Sequence, residues 1–168
     1  MKKSALALTL SVFIGSVASA ADLIGHASVI DGDTIEIHGQ RIRLWGIDAP
    51  ESDQLCLGDQ GQYRCGQVAA NDLDTFIASR LVSCVEVDRD RYKRVVAVCT
   101  VANVDLADWL VRAGGALDWP QYSKGAYGGA QQEARQAKRG LWRGSFVEPW
   151  RYRPCIRAGG RPACSDGD

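Results

Sequence analysis

Between His26 and Ile47 the chain alternates apolar and polar residues in three short runs broken by tight turns. This pattern limits what the chain can fold into more than any other. Residues 26–30, 34–37 and 41–47 each read as a strand, because successive side chains of a strand point to opposite faces. Asp31-Gly32-Asp33 and His38-Gly39-Gln40 supply the turns. The result is a three-strand meander. Residues 81–87 and 95–101 are rich in valine and predict two more strands. Between the third and fourth strands, Val68, Leu73, Phe76 and Ile77 recur at helical spacing, which predicts a helix over residues 67–79. Asn103 is placed to cap a second helix through Leu106, Trp109 and Leu110, stopped by Gly114-Gly115. A third helix is expected over residues 130–139, with Gly140 as its terminator. Five strands with a helix after the third have the order of an OB-fold. The expected class is therefore α+β: a five-stranded Greek-key barrel with about three α-helices.

The length, 168 residues, allows one domain plus a tail and leaves no room for a two-domain dehydrogenase or a TIM barrel. With 46% hydrophobic residues and a formal net charge of zero the chain is not of disordered type, and it lacks the strongly basic total of a chromatin-type binder. Lys2-Lys3, an apolar run over residues 5–17 and Ala18-Ser19-Ala20 form a signal-peptide pattern, with cleavage expected after Ala20. The run is shorter than the ~20 residues of a membrane span. The expected organisation is a signal peptide over residues 1–20, the domain over 21–148 and an Arg/Pro/Gly-rich tail over 149–168. The protein is expected in the periplasm or secreted, without stable membrane association after cleavage, and as a monomer.

All six cysteines, Cys56, Cys65, Cys84, Cys99, Cys155 and Cys164, follow that segment. No pair has zinc-ligand spacing, and His26 and His38 lie far from every Cys. An even number in an exported chain points to disulfides. Sequence neighbours suggest Cys56–Cys65, Cys84–Cys99 and Cys155–Cys164, although six cysteines permit 15 pairings.

Two segments gather charge beside residues that fix the backbone: Asp31-Gly32-Asp33-Thr34, and Arg43-Leu-Trp-Gly-Ile-Asp48-Ala-Pro-Glu51. Asp33 and Asp48 could converge across neighbouring strands as hard oxygen ligands of the kind that suits Ca²⁺ or Mg²⁺. Arg43 lies between the two segments, as expected where an anion is held beside a cation. Taken singly these features are ordinary, since Asp-Gly-Asp is a common turn and Arg41 with Arg43 could be the wet face of a strand. Their combination favours a site. A two-carboxylate glycosidase has no need of two arginines, and neither histidine fits a Ser-His-Asp arrangement.

The run V-I-D-G-D-T-I-x-I, followed by I-R-L-W-G-I-D-A-P-E, resembles the thermonuclease (staphylococcal-nuclease-like) family. Asp90-Arg-Tyr-Lys-Arg94 resembles that family's D-x-Y-x-R, and Gly140-Leu-Trp142 resembles its ending after the last helix. The resemblance covers roughly residues 24–142. It implies Ca²⁺ held by Asp33, Asp48 and the backbone carbonyl of Ala49, with Asp31 in support. It implies catalytic roles for Arg43 and Arg94, which clamp the phosphate, and for Glu51, which activates or positions water. Tyr122 matches a substrate-pocket tyrosine, while Pro120 stands where its partner tyrosine would be, with Trp119 adjacent. Lys93 replaces a glycine frequent in the third motif, where it adds charge near the phosphate or stiffens a turn. Trp119 and Tyr122 are candidates for stacking on bases. The implied activity is an exported, Ca²⁺-dependent endonuclease that cuts DNA and RNA with little sequence specificity and leaves 3′-phosphate ends. The rival expectation is an OB module that binds nucleic acid or a protein without cutting.

Overall fold

A computed structural model describes residues 22–160 and Cys164. The expected signal peptide and most of the last eight residues, including Arg161, lie outside the described residues. Three long strands open the fold: β1 (Leu23–Asp31), β2 (Thr34–Ile37) and β3 (Gln40–Leu44). The short β4 (Ile47–Asp48) and the hairpin β5 (Leu55–Gly58) and β6 (Gly61–Arg64) lead into α1 (Cys65–Ile77). Then come β7 (Leu81–Arg89), β8 (Val95–Val101), β9 (Val104–Asp105), α2 (Leu106–Ala113) and β10 (Leu117–Asp118). The chain finishes with α3 (Pro120–Ser123), α4 (Gly128–Gln136), a 3₁₀ turn over Gly140–Arg143 and α5 (Pro149–Arg157).

The meander β1–β2–β3 continues from β1 to β7 and β8 by antiparallel pairing. Parallel pairing of β3 with β8, Ile42 opposite Val95 and Arg43 opposite Val96, closes the ring. This is the five-stranded OB barrel that the strand order suggested. Alternation does what it should. Along β8 every second residue is buried, starting at Val95. Ile35, Ile37, Ile42, Leu44 and Val82 fill the barrel, and Leu73, Ile77, Leu106 and Leu110 pack against them from α1 and α2. A second apolar cluster, Cys56, Cys65, Leu117 and Leu141, lies under the β5–β6 hairpin and carries Trp150 on its edge.

The suggested pairs Cys56–Cys65, Cys84–Cys99 and Cys155–Cys164 are the disulfides that form. The first of these disulfides lies at the β5–β6 hairpin, in which Cys56 pairs with Tyr63. Asn103 does not cap α2: Ala102 and Asn103 have φ of 49° and 65° and form the two-residue turn between β8 and β9. Asp105 caps instead, accepting from the backbone N–H groups of Ala107 and Asp108. Gly114 ends α2 in the left-handed conformation, φ 80°, as its position suggested. Two helices exceed the three expected, the short α3 and α5. The segment after Pro149, expected as a tail, opens with α5, which starts on Pro149 and buries Tyr152.

Candidate active site

The barrel rim assembles its charges from short pieces of backbone. β1 ends in the Asp31-Gly32-Asp33 turn, where the Asp31 carboxylate accepts from the Asp33 N–H at 3.1 Å. The β2–β3 register sets Thr34 opposite Arg43, so Arg43 reaches the turn. Its guanidinium lies 3.1 Å from Asp33 Oδ1 and 2.8 Å from Asp33 Oδ2. β4 pairs with β10, Asp48 opposite Leu117, and this brings Asp48 Oδ1 to 2.7 Å from Arg43 Nη2. Asp33 is 4% exposed and Asp48 fully buried. Thr34 Oγ1 and the Ala49 N–H complete the donors to Asp33.

Glu51 follows on the loop after β4. Its N–H donates to Gln54 Oε1, its carbonyl accepts from the Gln54 N–H, and Gln54 Nε2 donates to Val147 O at 2.7 Å. The fully buried Gln54 thus ties the Glu51 loop to the lead-in of α5. On the other side of that loop α1 begins so close that a Cβ on Gly66 would stand 2.0 Å from the Glu51 carbonyl oxygen. Only glycine permits that approach.

α5 then reaches back. Arg153 forks onto Asp48, Nη1 to Oδ1 at 3.0 Å and Nη2 to Oδ2 at 2.7 Å, and Nη1 also donates to Glu51 Oε1 at 2.9 Å. Sequence reasoning does not single out Gln54, and it marks Arg153 only as one basic residue of the Arg/Pro/Gly-rich tail. No local pattern marks a contact made between residues some hundred positions apart.

Burial sets the electrostatics. It pushes the Asp31 carboxyl up to about 6, helped by the charge of Asp33. Burial likewise raises Asp48, against the opposing pull of Arg153 and Arg43. Burial works against both guanidinium groups, yet the carboxylates more than offset it and hold Arg43 and Arg153 above the usual arginine range.

These groups border an open cleft of about 900 Å³ whose lining includes Asp31, Asp33, Arg43, Ala49, Glu51 and Arg94, while Asp48 lies beneath it. Arg94 is otherwise engaged. Its Nε donates to Asp90 Oδ2 at 2.6 Å, and Asp90 also accepts the N–H groups of Tyr92 and Arg94. Slight burial acts upward on Asp90, but these bonds hold its carboxyl below the usual carboxylate range. Lys93 has φ 63° in this turn, the left-handed region that glycine enters freely, and it does not line the cleft. Trp119 and Tyr122 do, their rings edge-to-face at 4.5 Å. Trp150 of α5 stacks on Trp119 at 6.0 Å and 20° between planes. The guanidinium carbons of Arg43 and Arg153 lie 5.9 and 5.6 Å from the Trp119 ring centre.

Asp33 and Asp48 are hard oxygen donors of the type that Ca²⁺ takes, so the residues fit such an ion chemically. As arranged, each of their four carboxylate oxygens contacts a guanidinium nitrogen. Among the described residues no group of three or more Asp, Glu, His or Cys side chains is disposed as a metal cage. The arrangement brings the guanidinium groups of Arg43 and Arg94 and the carboxylate of Glu51 to one cleft.

Relatives of the chain include proteins named as nucleases. The succinoglycan biosynthesis protein ExoI of Rhizobium meliloti (strain 1021) is 48% identical over 128 residues, covering 74% of this chain and 67% of that protein. A protein of Escherichia coli named an uncharacterized endonuclease is 36% identical over 141 residues, 79% of this chain and 86% of its own. Micrococcal nuclease of Shigella flexneri is 31% identical over 162 residues, 84% and 87% of the two chains. A family model described as staphylococcal nuclease homologue matches residues 41–144, which take in Arg43, Asp48, Glu51 and Arg94. The chain belongs to the family of staphylococcal nuclease homologues.

Proposed function

We propose that the chain is a nuclease that cleaves phosphodiester bonds of DNA and RNA as a Ca²⁺-dependent endonuclease of low sequence specificity, leaving 3′-phosphate ends. The observation that carries the reading is the single hydrogen-bonded network of Asp33, Arg43, Asp48 and Glu51 at the mouth of the cleft that Arg94 also lines.

Asp33, Asp48 and the Ala49 carbonyl would hold Ca²⁺, which supplies Lewis-acid stabilisation of the charge that builds on the phosphate. Arg43 and Arg94 donate charge-assisted hydrogen bonds to the phosphate oxygens, the latter after exchanging Asp90 for substrate. Removing one such donor typically costs ~3–4 kcal/mol of transition-state stabilisation. The Glu51 carboxylate orients the attacking water and takes its proton. Gln54 and Gly66 fix the Glu51 backbone, so the loop is set before substrate arrives. Trp119 and Tyr122 offer faces on which bases can stack without sequence preference.

Export to the periplasm or the medium is supported by three disulfides, which persist in oxidising compartments. No helix among the described residues is long and apolar enough to cross a membrane. The protein acts as a monomer in this reading, since the network is complete within one chain.

A second reading, an OB module that binds nucleic acid without cutting, is favoured by one observation: Arg153 already engages Glu51 and Asp48. One experiment separates the two. Plasmid and single-stranded DNA are incubated with the chain in Ca²⁺ or in chelator, beside Glu51→Gln. The nuclease reading expects degradation in Ca²⁺, none in chelator and a near-inert variant. DNA retained on the protein but intact in every metal tested establishes the binding module.

A further inference from the structure

A buried pair of aspartates meant for a divalent cation should present free lone pairs to it. Here they face arginines. Arg43 is expected on its position in the family motif, but Arg153 belongs to α5, beyond the residues 41–144 that the family model matches. It takes both oxygens of Asp48 and one of Glu51 with a single fork. From these contacts we infer that Arg153 is an internal counter-cation of the metal site, which sets its affinity because it must leave Asp48 and Glu51 before a divalent cation can bind there. This rests on the calcium reading given above.

The geometry supports competition rather than co-residence. A bidentate guanidinium spans the same carboxylate edge that a cation would approach. Fully buried Asp48 offers no second edge to solvent. A doubly charged ion drawn onto its oxygens would lie against a positive fork 2.7–3.0 Å from them, inside an environment that screens charge poorly. The side chain also has somewhere to go. It is 28% exposed, and it borders the open cleft beside the Trp119 ring.

The helix that carries it is anchored independently of the ion pair. The Gln54 bond to Val147, buried Tyr152 and the Trp150–Trp119 stack hold α5 in place. Loss of the fork therefore moves one side chain, not the helix. A ligand that binds only the open form has its apparent affinity reduced by the fraction of molecules that are open.

The test uses the purified chain stripped of metal and titrated with Ca²⁺ alone, without nucleic acid, by calorimetry and by tryptophan emission from the Trp119–Trp150 pair. Arg153→Gln and Arg153→Ala should bind Ca²⁺ about tenfold more tightly or better, the change expected if the open form is a tenth or less of the population. Arg153→Lys, which keeps charge but cannot fork, should fall between them and the parent. Arg151→Ala removes one charge from the same helix without touching the carboxylates and should shift affinity by less than about twofold. Thermal unfolding confirms that each variant is folded, and Arg153→Lys carries the test if the neutral variants are not. Equal or weaker Ca²⁺ binding in the Arg153 variants overturns the inference, even if the parent cuts DNA in Ca²⁺. So does an Arg151→Ala effect as large as theirs, which would reduce the role to bulk charge. Absence of Ca²⁺ binding in every chain overturns it as well. The nuclease reading is judged separately, by cleavage.

Discussion

The cleft has two walls of different origin. The rim is built on backbone pairing: Arg43 on a barrel strand, Asp33 in the turn between two of them and Asp48 on the β4–β10 pair, so its side chains are fixed by register. The other wall, with Trp119, Trp150 and Arg153, is built from α3, α5 and their connections, held by ring stacking and one buried glutamine. The difference teaches that charge complementarity can be delivered across a fold boundary. A rigid scaffold presents the carboxylates, and a separately anchored helix brings a matching cation to them.

The largest effect expected concerns the rim alone. Glu51→Gln should lower DNA cleavage by about 10²–10⁴-fold with unchanged circular dichroism. A variant as fast as the parent would make the rim a structural ion network and dissolve its distinction from the wall. Next is stability. Removing Cys84–Cys99, which ties neighbouring barrel strands across 15 residues, should cost about 3 kcal/mol in urea unfolding. Removing Cys155–Cys164 should leave the main transition within about 0.5 kcal/mol and alter only the tryptophan signal. Equal losses would mean that wall and barrel unfold as one unit.

Smaller still is the role of the wall in binding. Trp119→Ala or Trp150→Ala should weaken single-stranded DNA binding by about 1–3 kcal/mol, seen as a raised KM with little change in kcat. A drop in kcat instead would place these rings in the chemistry. The smallest effect probes a partly buried pair outside the charged network of the rim. Tyr127 donates to Asp105 Oδ2, and burial, then the Asp105 charge, raises its pKa well above that of a free tyrosine. The unfolded chain loses this proton from about pH 10 while the folded chain keeps it, so stability falls as pH rises past 10. Tyr127→Phe should flatten that fall by under about 1 kcal/mol at pH 10.5, measured by chemical unfolding.

What the sequence disclosed follows the same division. Asp33, Arg43, Asp48 and Glu51 stand out because strand alternation and turn residues are local signals, and motif order ties them to a family. Gln54, Trp150 and Arg153 are silent locally. Gln54 meets Val147, and Arg153 meets Asp48, across separations of 93 and 105 residues. α5 was hidden by its own composition, since Pro149, Pro154 and Gly159 read as a tail. It is helical because Pro149 occupies the first turn, where proline is tolerated, and because Tyr152 is buried. The misplaced cap has the same lesson at short range. Asn103 suits both a cap and a left-handed turn, and pairing of Val101 with Val104 decided for the turn.

The parallel seam between β3 and β8 acts as a ruler. It sets Val95 beside Ile42 and Val96 beside Arg43, so Arg94, one residue before the seam, is stepped about 7 Å along the strands from Arg43. The spacing of the two cationic groups is thus inherited from main-chain pairing, not from any side chain around them. Inserting one residue into Val95–Val101 would shift that step and turn every following side chain to the opposite face. A chain altered in this way could keep every charged residue of its cleft and still lose the distance between them.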